Sequence, residues 1–237
     1  MLDPYLAEVA ARLRAIFGAE LVGVYVGGSY ALGDYAEGRS DVDVAAVAQL
    51  PTSRGRKDAV VAALRHESLP CPARGLEFVL YDATAAGTPS TDAAFDLNLN
   101  TGARMDFRVD YDPSAIEAHW FPIDRTILAQ HGVALAGPPA SDVFAPLPRE
   151  DVLPILRESL RWHELGAASD DAVLNACRAW RYAADGTWSS KPAAGAWALE
   201  RGAGDVVADA LAARSGNGPV DPEQAAAFVR SVVQRLA

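Results

Sequence analysis

The chain has 237 residues, 50% of them hydrophobic, and its 31 acidic and 21 basic side chains give a net charge of −10. This apolar content is sufficient for a packed core and excludes disorder of the whole chain. No apolar run reaches the roughly 18 residues of a membrane-spanning helix, and the segment 3–17 is charged where a signal peptide would be apolar. We therefore expect one large or two small domains and no membrane partner.

The charge and the cysteine content limit the partners and the compartment. A strong negative charge disfavours binding to the phosphate backbone of nucleic acid and favours a cationic partner. A solvated acidic surface is the more common reason for such a charge. The two cysteines, Cys71 and Cys177, are too few and too scattered for a disulfide framework or a zinc site. We expect a cytoplasmic protein with no nucleic-acid partner, and we favour a monomer.

The N-terminal half alternates helical and strand patterns. Apolar residues at helical spacing predict a helix that ends at Gly18, and alternating valines predict a strand over 21–26. Further strands are predicted to begin at Asp41 and to span 76–81 and 105–111, with a crossing helix over 57–65. This order predicts an α/β (α+β) domain in which a small mixed sheet carries helices on its faces.

The C-terminal third is predicted to be helical. Strand signals stop after the segment 137–148, which is rich in proline and is typical of a linker. Apolar residues then share helical faces over 152–160 and 173–180, and Asp221 before Pro222 is typical of a helix N-terminus. We expect two domains, the mixed-sheet domain over residues 1–145 and an all-α helical bundle over residues 146–237.

The most informative segment, 27–43, runs from Gly-Gly-Ser at the end of one predicted strand to Asp-Val-Asp at the start of the next. Glycines at a strand end let backbone N–H groups approach a phosphate, and the Ser29 hydroxyl adds a donor. Asp41 and Asp43 are two residues apart on a strand, so both side chains point to one face. Two such close carboxylates repel unless a cation lies between them, and Mg²⁺ binds carboxylate and phosphate oxygens. Each part alone has a structural explanation, but their conjunction indicates a metal–nucleotide site.

A third carboxylate, Glu77, lies in an otherwise apolar predicted strand. A lone buried charge is costly unless it has a partner. Glu77 has a function here if it joins the metal site or takes a proton from an attacking hydroxyl group. The alternative is an edge strand on which Glu77 faces water.

These residues resemble the nucleotidyltransferase superfamily of the polymerase-beta type. Nearly the whole chain resembles the aminoglycoside adenylyltransferases that modify streptomycin and spectinomycin, and the narrower resemblance is carried by the segments 132–140, 177–180 and 190–201. It implies a nucleotidyltransferase domain followed by a helical domain, with ATP and acceptor meeting in the cleft between them. The reaction implied is transfer of AMP from ATP to a hydroxyl group of a small, cationic acceptor, with Mg²⁺ as cofactor.

The resemblance assigns roles to five residues of the first domain. Asp41 and Asp43 would bind two Mg²⁺ ions together with Glu77, which would also be the catalytic base. Gly28 and Ser29 would hold the nucleotide triphosphate.

In the helical domain, the resemblance implies that Arg178 and Lys191 close on the ATP phosphates. Their structural alternatives are an arginine whose stem covers the bundle and a surface lysine at a helix start. Asp170 or Asp171 would bind the cationic groups of the drug, although either also suits a helix N-cap. Gly102 stands where the family has a tryptophan that stacks on the drug. A different acceptor, either another metabolite or a protein side chain, therefore stays open, as does a non-catalytic nucleotide-binding module.

Overall fold

The structure is a computed structural model of the chain. It describes residues 2–117, 119–166 and 170–236, without the side chains of residues 163–166. The chain divides into two compact units, Met1–Leu147 and Pro148–Ala237, and each unit has its own hydrophobic core. The division lies within the proline-rich segment 137–148.

The N-terminal unit is built on one six-stranded mixed sheet. Its strands are β1 (Leu21–Val26), β2 (Val42–Ala48), β3 (Leu76–Asp82), β4 (Leu97–Gly102), β5 (Met105–Asp110) and β6 (Val133–Ala136). Their order across the sheet is β5-β4-β3-β2-β1-β6. Strands β2 and β3 pair in parallel, and the other neighbours pair antiparallel.

Helices cover both faces of this sheet. Those within the described residues of the unit are α1 (Leu2–Phe17), α2 (Gly28–Ala31), α3 (Arg54–Leu64), α4 (Ala83–Gly87) and α5 (Trp120–His131). Helix α3 connects the parallel strands β2 and β3, because a parallel pair requires a crossover connection. Helix α2 is the short turn of helix that follows β1.

The two faces of the sheet are used differently. The even-numbered residues of β2 and β3 form one core with α1 and α3. The odd-numbered residues point to the opposite face, because side chains alternate along a strand. On that face Ala45, Val47 and Tyr81 share a second core with α5. Asp43 and Glu77 are the odd-numbered residues that precede these apolar ones, so the two carboxylates lie at the end of the face where the strands begin.

The C-terminal unit is helical throughout its described length. Its helices are α6 (Arg149–Gly166), α7 (Asp170–Asp185), α8 (Lys191–Leu199), α9 (Asp205–Arg214) and α10 (Pro222–Arg235). Helix α7 packs against α8, α9 and α10 around one core. The Asp221 side chain accepts hydrogen bonds from the first turn of α10, as the sequence predicts. Among the described helices of the chain, none combines the length and apolar content that a membrane crossing requires.

The fold class predicted from the sequence is confirmed, a mixed sheet with helices followed by a helical bundle. Two details differ. Strand β2 begins at Val42, so Asp41 lies immediately before the strand and not on it. Strands β4 and β6 were not predicted. The alternation in Leu97-Asn-Leu-Asn carries a strand signal, whereas β6 has only four residues, too few for a period to show.

Gly102 ends β4 where the backbone passes close to the segment before β3. A Cβ atom at position 102 would overlap Gly75 Cα and lie 2.6 Å from the Arg74 carbonyl oxygen. Both contacts are with backbone, which cannot move aside as a flexible side chain can. Position 102 therefore accepts only glycine without displacement of the backbone. It cannot carry a tryptophan side chain.

We predict that Gly102→Ala destabilises the N-terminal unit by about 1–3 kcal/mol, since the added methyl group overpacks this contact. Gly55→Ala is the matched control. Gly55 lies in α3, and a Cβ atom added there would have nothing within 4 Å, so alanine should add about 0.4–1 kcal/mol of stability. Urea unfolding at equilibrium should give opposite signs, and a neutral Gly102→Ala would show that the contact is not tight.

Candidate active site

Asp43 and Glu77 lie side by side on the two parallel strands of the sheet. The register places Asp43 of β2 opposite Glu77 of β3, so both side chains point to the same face. Strand β3 has β2 on one side and β4 on the other, which excludes the edge-strand interpretation of Glu77. Like charges directly opposite one another destabilise a sheet, so this pair requires a nearby cation or a shared proton.

Asp41 adds a third carboxylate, and Arg74 brings a positive charge to it. Arg74 Nη2 donates to Asp41 Oδ2 at 2.5 Å and lies 4.0 Å from Glu77 Oε1. The guanidinium group therefore neutralises part of the acidic cluster. Sequence reasoning missed Arg74. The only sequence feature that connects Arg74 with the site is its position three residues before Glu77, close to the start of β3.

Asp124 of α5 is a fourth carboxylate, which sequence reasoning also missed because α5 was not predicted. Its charge contributes to the raised pKa of Glu77, so it lies close enough to act on that group. The neighbouring Arg125 is buried and anchors α5 at this point. Its guanidinium group donates to the carbonyl oxygens of Ala85 (3.1 Å), Ser90 (2.8 Å) and Asp92 (2.7 Å).

The pKa of Glu77 is raised well above its ordinary value. The largest cause is burial against the sheet, followed by the negative charges of Asp43, Asp41 and Asp124, while Arg74 acts in the opposite direction. The Glu77 side chain nevertheless keeps 39% of its surface exposed, so an incoming hydroxyl group can reach it. A carboxylate with a raised pKa is a better general base near neutral pH than an ordinary one.

The turn from β1 into α2 runs beside Asp43. The Gly27 N–H donates to the Asp43 carbonyl oxygen at 2.9 Å. Gly28 has φ +50°, and a Cβ there would overlap Asp43 Oδ2, so the carboxylate occupies the space that a side chain would need. The Ser29 hydroxyl is buried and has no hydrogen-bond partner among the described residues. Since buried hydroxyl groups are normally hydrogen-bonded, this one is available to a ligand.

In the helical unit, two of the predicted site residues pair with each other. Lys191 Nζ donates to Asp171 Oδ1 at 3.0 Å, and Arg214 Nη1 lies 3.6 Å from the same oxygen. Asp170 and Asp171 both lie in the first turn of α7, and Lys191 is the first residue of α8, which Ser190 caps.

Arg178 packs within the same helical unit. Its Nη1 lies 3.5 Å from Asn175 Oδ1, and its guanidinium group lies over the Trp188 ring at 5.4 Å from the centroid. These contacts agree with the interpretation that the arginine stem covers the bundle. A role of Arg178 toward ATP stays a prediction.

The acidic cluster of the N-terminal unit has the ligand type of a magnesium site, because Mg²⁺ prefers carboxylate oxygens. In the described part of the chain, however, no three His, Cys, Asp or Glu side chains are grouped so as to hold a metal ion by themselves. Mg²⁺ is usually bound by one or two carboxylates together with substrate phosphates. The residues present therefore fit a metal ion that shares its ligands with a nucleotide.

Comparison with known protein families covers both units. Residues 6–81 match the nucleotidyltransferase domain, and residues 142–237 match the C-terminal domain of aminoglycoside adenylyltransferases. The chain is thus similar to these two domains in its N-terminal and C-terminal parts, respectively. The resemblance inferred from the sequence is thereby confirmed, and the first match includes the whole segment 27–43 together with Glu77.

Individual relatives agree with these family matches. An aminoglycoside (3'') (9) adenylyltransferase from Klebsiella pneumoniae is 33% identical over 99 residues, which cover 38% of this chain and 36% of that protein. One from Rhizobium radiobacter is 34% identical over 99 residues, covering 38% and 35%. The chain thus spans little more than a third of the curated relatives that it matches. The crystal structure of spectinomycin adenyltransferase AAD(9) from Enterococcus faecialis with ATP and spectinomycin has the same fold, with a TM-score of 0.72, 15% identity and coverage of 100% and 99%.

We predict that Glu77→Gln raises the thermal midpoint of the N-terminal unit at pH 7. A carboxyl group whose pKa is raised on folding costs stability above its unfolded pKa of about 4.3, and glutamine carries no such cost. The gain should shrink as the pH falls toward that value, where Glu77 is protonated in both states.

Glu67→Gln is the control for this experiment. A hydrogen bond from Arg65 lowers the pKa of Glu67, so its charge favours the folded state above the unfolded pKa. That variant should therefore not gain stability at pH 7. A Glu77→Gln midpoint equal to or below the wild-type value at pH 7 would contradict the electrostatic description of the site.

Proposed function

We propose that the protein is a Mg²⁺-dependent nucleotidyltransferase that transfers AMP from ATP to a hydroxyl group of a small polar acceptor. The observation that carries this proposal is the register of β2 on β3, which sets Asp43 beside Glu77. The turn that precedes them leaves the buried Ser29 hydroxyl without a protein partner among the described residues. A carboxylate pair next to a free phosphate donor suits a metal–nucleotide complex. Both family matches, and the relatives named above, support the same reaction class.

Each of the site residues of the N-terminal unit has a role in this reaction. Asp41 and Asp43 would hold Mg²⁺, which when bound neutralises charge on the triphosphate. The Ser29 hydroxyl donates to a phosphate oxygen, and Gly28 leaves room for the Asp43 carboxylate. Glu77 accepts the proton of the acceptor hydroxyl as its oxygen attacks the α-phosphorus. The bond from the α-phosphorus to the bridging oxygen of the β-phosphate breaks, and pyrophosphate leaves. Catalysis is then mainly positioning and electrostatics.

The helical unit contributes groups that bind the two substrates. Lys191 and Arg178 are proposed to bind phosphate oxygens of ATP. Asp171 already faces Lys191 and Arg214, so we assign it the positioning of the Lys191 ammonium group. Asp170 projects about 100° away from Asp171 round α7, since a helix has 3.6 residues per turn, and is the acidic group assigned to the acceptor.

The acceptor that fits these groups best is a cationic polyol, an aminoglycoside such as streptomycin or spectinomycin. The net charge of −10 favours the approach of a polycation. Gly102 offers no ring to stack on the drug, and a cation–π contact of that kind is worth about 0.5–2 kcal/mol. By the conversion of about 1.4 kcal/mol per tenfold, its loss corresponds to roughly 2- to 30-fold weaker binding. Modification of streptomycin should be detectable but weakened.

Gly102 is also the observation that favours a second candidate, in which the same nucleotidyl transfer acts on a different metabolite or on a protein side chain. This candidate uses the same carboxylates and the same nucleotide. The two candidates differ only in the acceptor, so a comparison of acceptors separates them.

The test of the proposed function is release of pyrophosphate from Mg²⁺-ATP in the presence of streptomycin, spectinomycin or a polyol that is not an aminoglycoside. We expect release with at least one drug, and complete loss in Asp43→Asn, whose amide is a poor metal ligand and whose fold should be unchanged. Turnover with the polyol alone would favour the second candidate. No release with any acceptor, or near-normal turnover of Asp43→Asn, would contradict the metal-dependent mechanism.

A matched pair of variants tests the assignment of the two aspartates of α7. Asp171→Asn should raise the KM for ATP about 3- to 10-fold with little change in the KM for the acceptor, because Lys191 loses its charged partner. Asp170→Asn should raise the KM for the acceptor with little change in the KM for ATP. If both variants changed the same KM, the two residues would not have separate roles. Circular dichroism of both variants controls for unfolding of α7.

A further inference from the structure

The backbone of Arg74 is fixed on two sides. Its N–H donates to the Ser40 carbonyl oxygen at 3.1 Å, and its own carbonyl oxygen accepts from the Arg104 N–H at 3.3 Å. The following residue, Gly75, lies so close to Gly102 that a Cβ atom on Gly102 would overlap Gly75 Cα. Arg74 is therefore clamped between the residue that precedes Asp41 and the hairpin turn between β4 and β5.

These backbone contacts place Arg74 where its side chain reaches the carboxylate cluster. Its Nη2 donates to Asp41 Oδ2 at 2.5 Å and lies 4.0 Å from Glu77 Oε1. Asp41 keeps 25% of its side-chain surface exposed and Arg74 keeps 46%, so it is the carboxylate side of the ion pair that is partly shielded from water and from salt. The contact is accordingly stronger than a fully exposed ion pair.

The Asp41 carboxylate that binds Arg74 is also a proposed metal ligand. A guanidinium group and a divalent cation both bind carboxylate oxygens, and they repel each other when they share one. A divalent ion that binds Asp41 Oδ2 therefore displaces the Arg74 contact, and one that binds the other oxygen weakens it by repulsion. A nucleotide that brings phosphate oxygens adds negative charge and makes that displacement favourable.

We propose that Arg74 is a positioning residue that competes with the divalent cation for Asp41, so that tight metal binding requires the nucleotide. This inference rests on the proposed function, since it takes Asp41 and Asp43 as metal ligands. Its consequence is that the site binds a metal–nucleotide complex in preference to the free metal ion.

The experiment is a titration of the full chain with Mn²⁺, with the free ion measured by its electron paramagnetic resonance signal, in the absence of nucleotide. Arg74→Gln should bind Mn²⁺ roughly 3- to 10-fold more tightly than the wild type, because one competing charge is removed. The gain in Mn²⁺ affinity on adding a non-hydrolysable ATP analogue should be smaller in the variant by the same factor.

Two further variants serve as controls. Arg104→Gln removes the same charge from an exposed side chain in the adjoining hairpin turn and should leave the Mn²⁺ affinity unchanged. Arg74→Lys keeps the charge but loses the planar fork of the guanidinium group, so its affinity should lie between those of the wild type and Arg74→Gln. If Arg74→Gln does not fold, tighter binding by Arg74→Lys carries the same conclusion.

Asp43→Asn separates failure of this inference from failure of the proposed function. If Asp43→Asn binds Mn²⁺ as well as the wild type, the metal assignment is wrong and the role of Arg74 is wrong with it. If Asp43→Asn loses binding while the folded Arg74 variants bind no more tightly than the wild type, the competition is absent. In that case only the inference about Arg74 is overturned.

Discussion

The repulsion between Asp43 and Glu77 is the constraint on which the rest of the site depends. The parallel register of β2 on β3 places the two carboxylates opposite one another on a single face, in the middle of a sheet with further strands on both sides. Neither strand lies at an edge of the sheet, so the two carboxylates stay side by side. The pair therefore carries an electrostatic cost that a cation or a proton relieves, and this repulsion adds to burial, the larger cause, in raising the pKa of Glu77.

The surrounding features are consequences of this pair. Arg74 supplies a positive charge to the cluster, and the close approach of Gly75 to Gly102 fixes the backbone that carries it. Gly28 is a glycine because the Asp43 carboxylate fills the position of its side chain. These contacts connect the β4–β5 hairpin to the carboxylates. The same packing that removes a stacking surface at position 102 thus helps to position the group beside Asp41.

The sequence was informative where the signal was local. The run from Gly27 to Asp43 and the alternating or helical periods predicted the first strands, the mixed sheet and the helical bundle. Arg74 and Asp124 were not predicted, because they reach the cluster through the pairing of distant strands and the placement of α5, which leave no local pattern. The pairing of Asp171 with Lys191 joins residues twenty positions apart, as the hydrogen bond between them shows, and no period connects such residues.

The carboxylate pair is expected to require a cation and a nucleotide together. The most direct test of this requirement is the thermal midpoint of the wild-type chain with Mg²⁺ alone, with ATP alone and with both. A ligand at about 100 times its dissociation constant stabilises a protein by about 2.7 kcal/mol, so binding is readily visible as a shift of the midpoint. We expect little shift with either component and a large shift with both. A full shift with ATP alone, or none with the two together, would contradict the requirement.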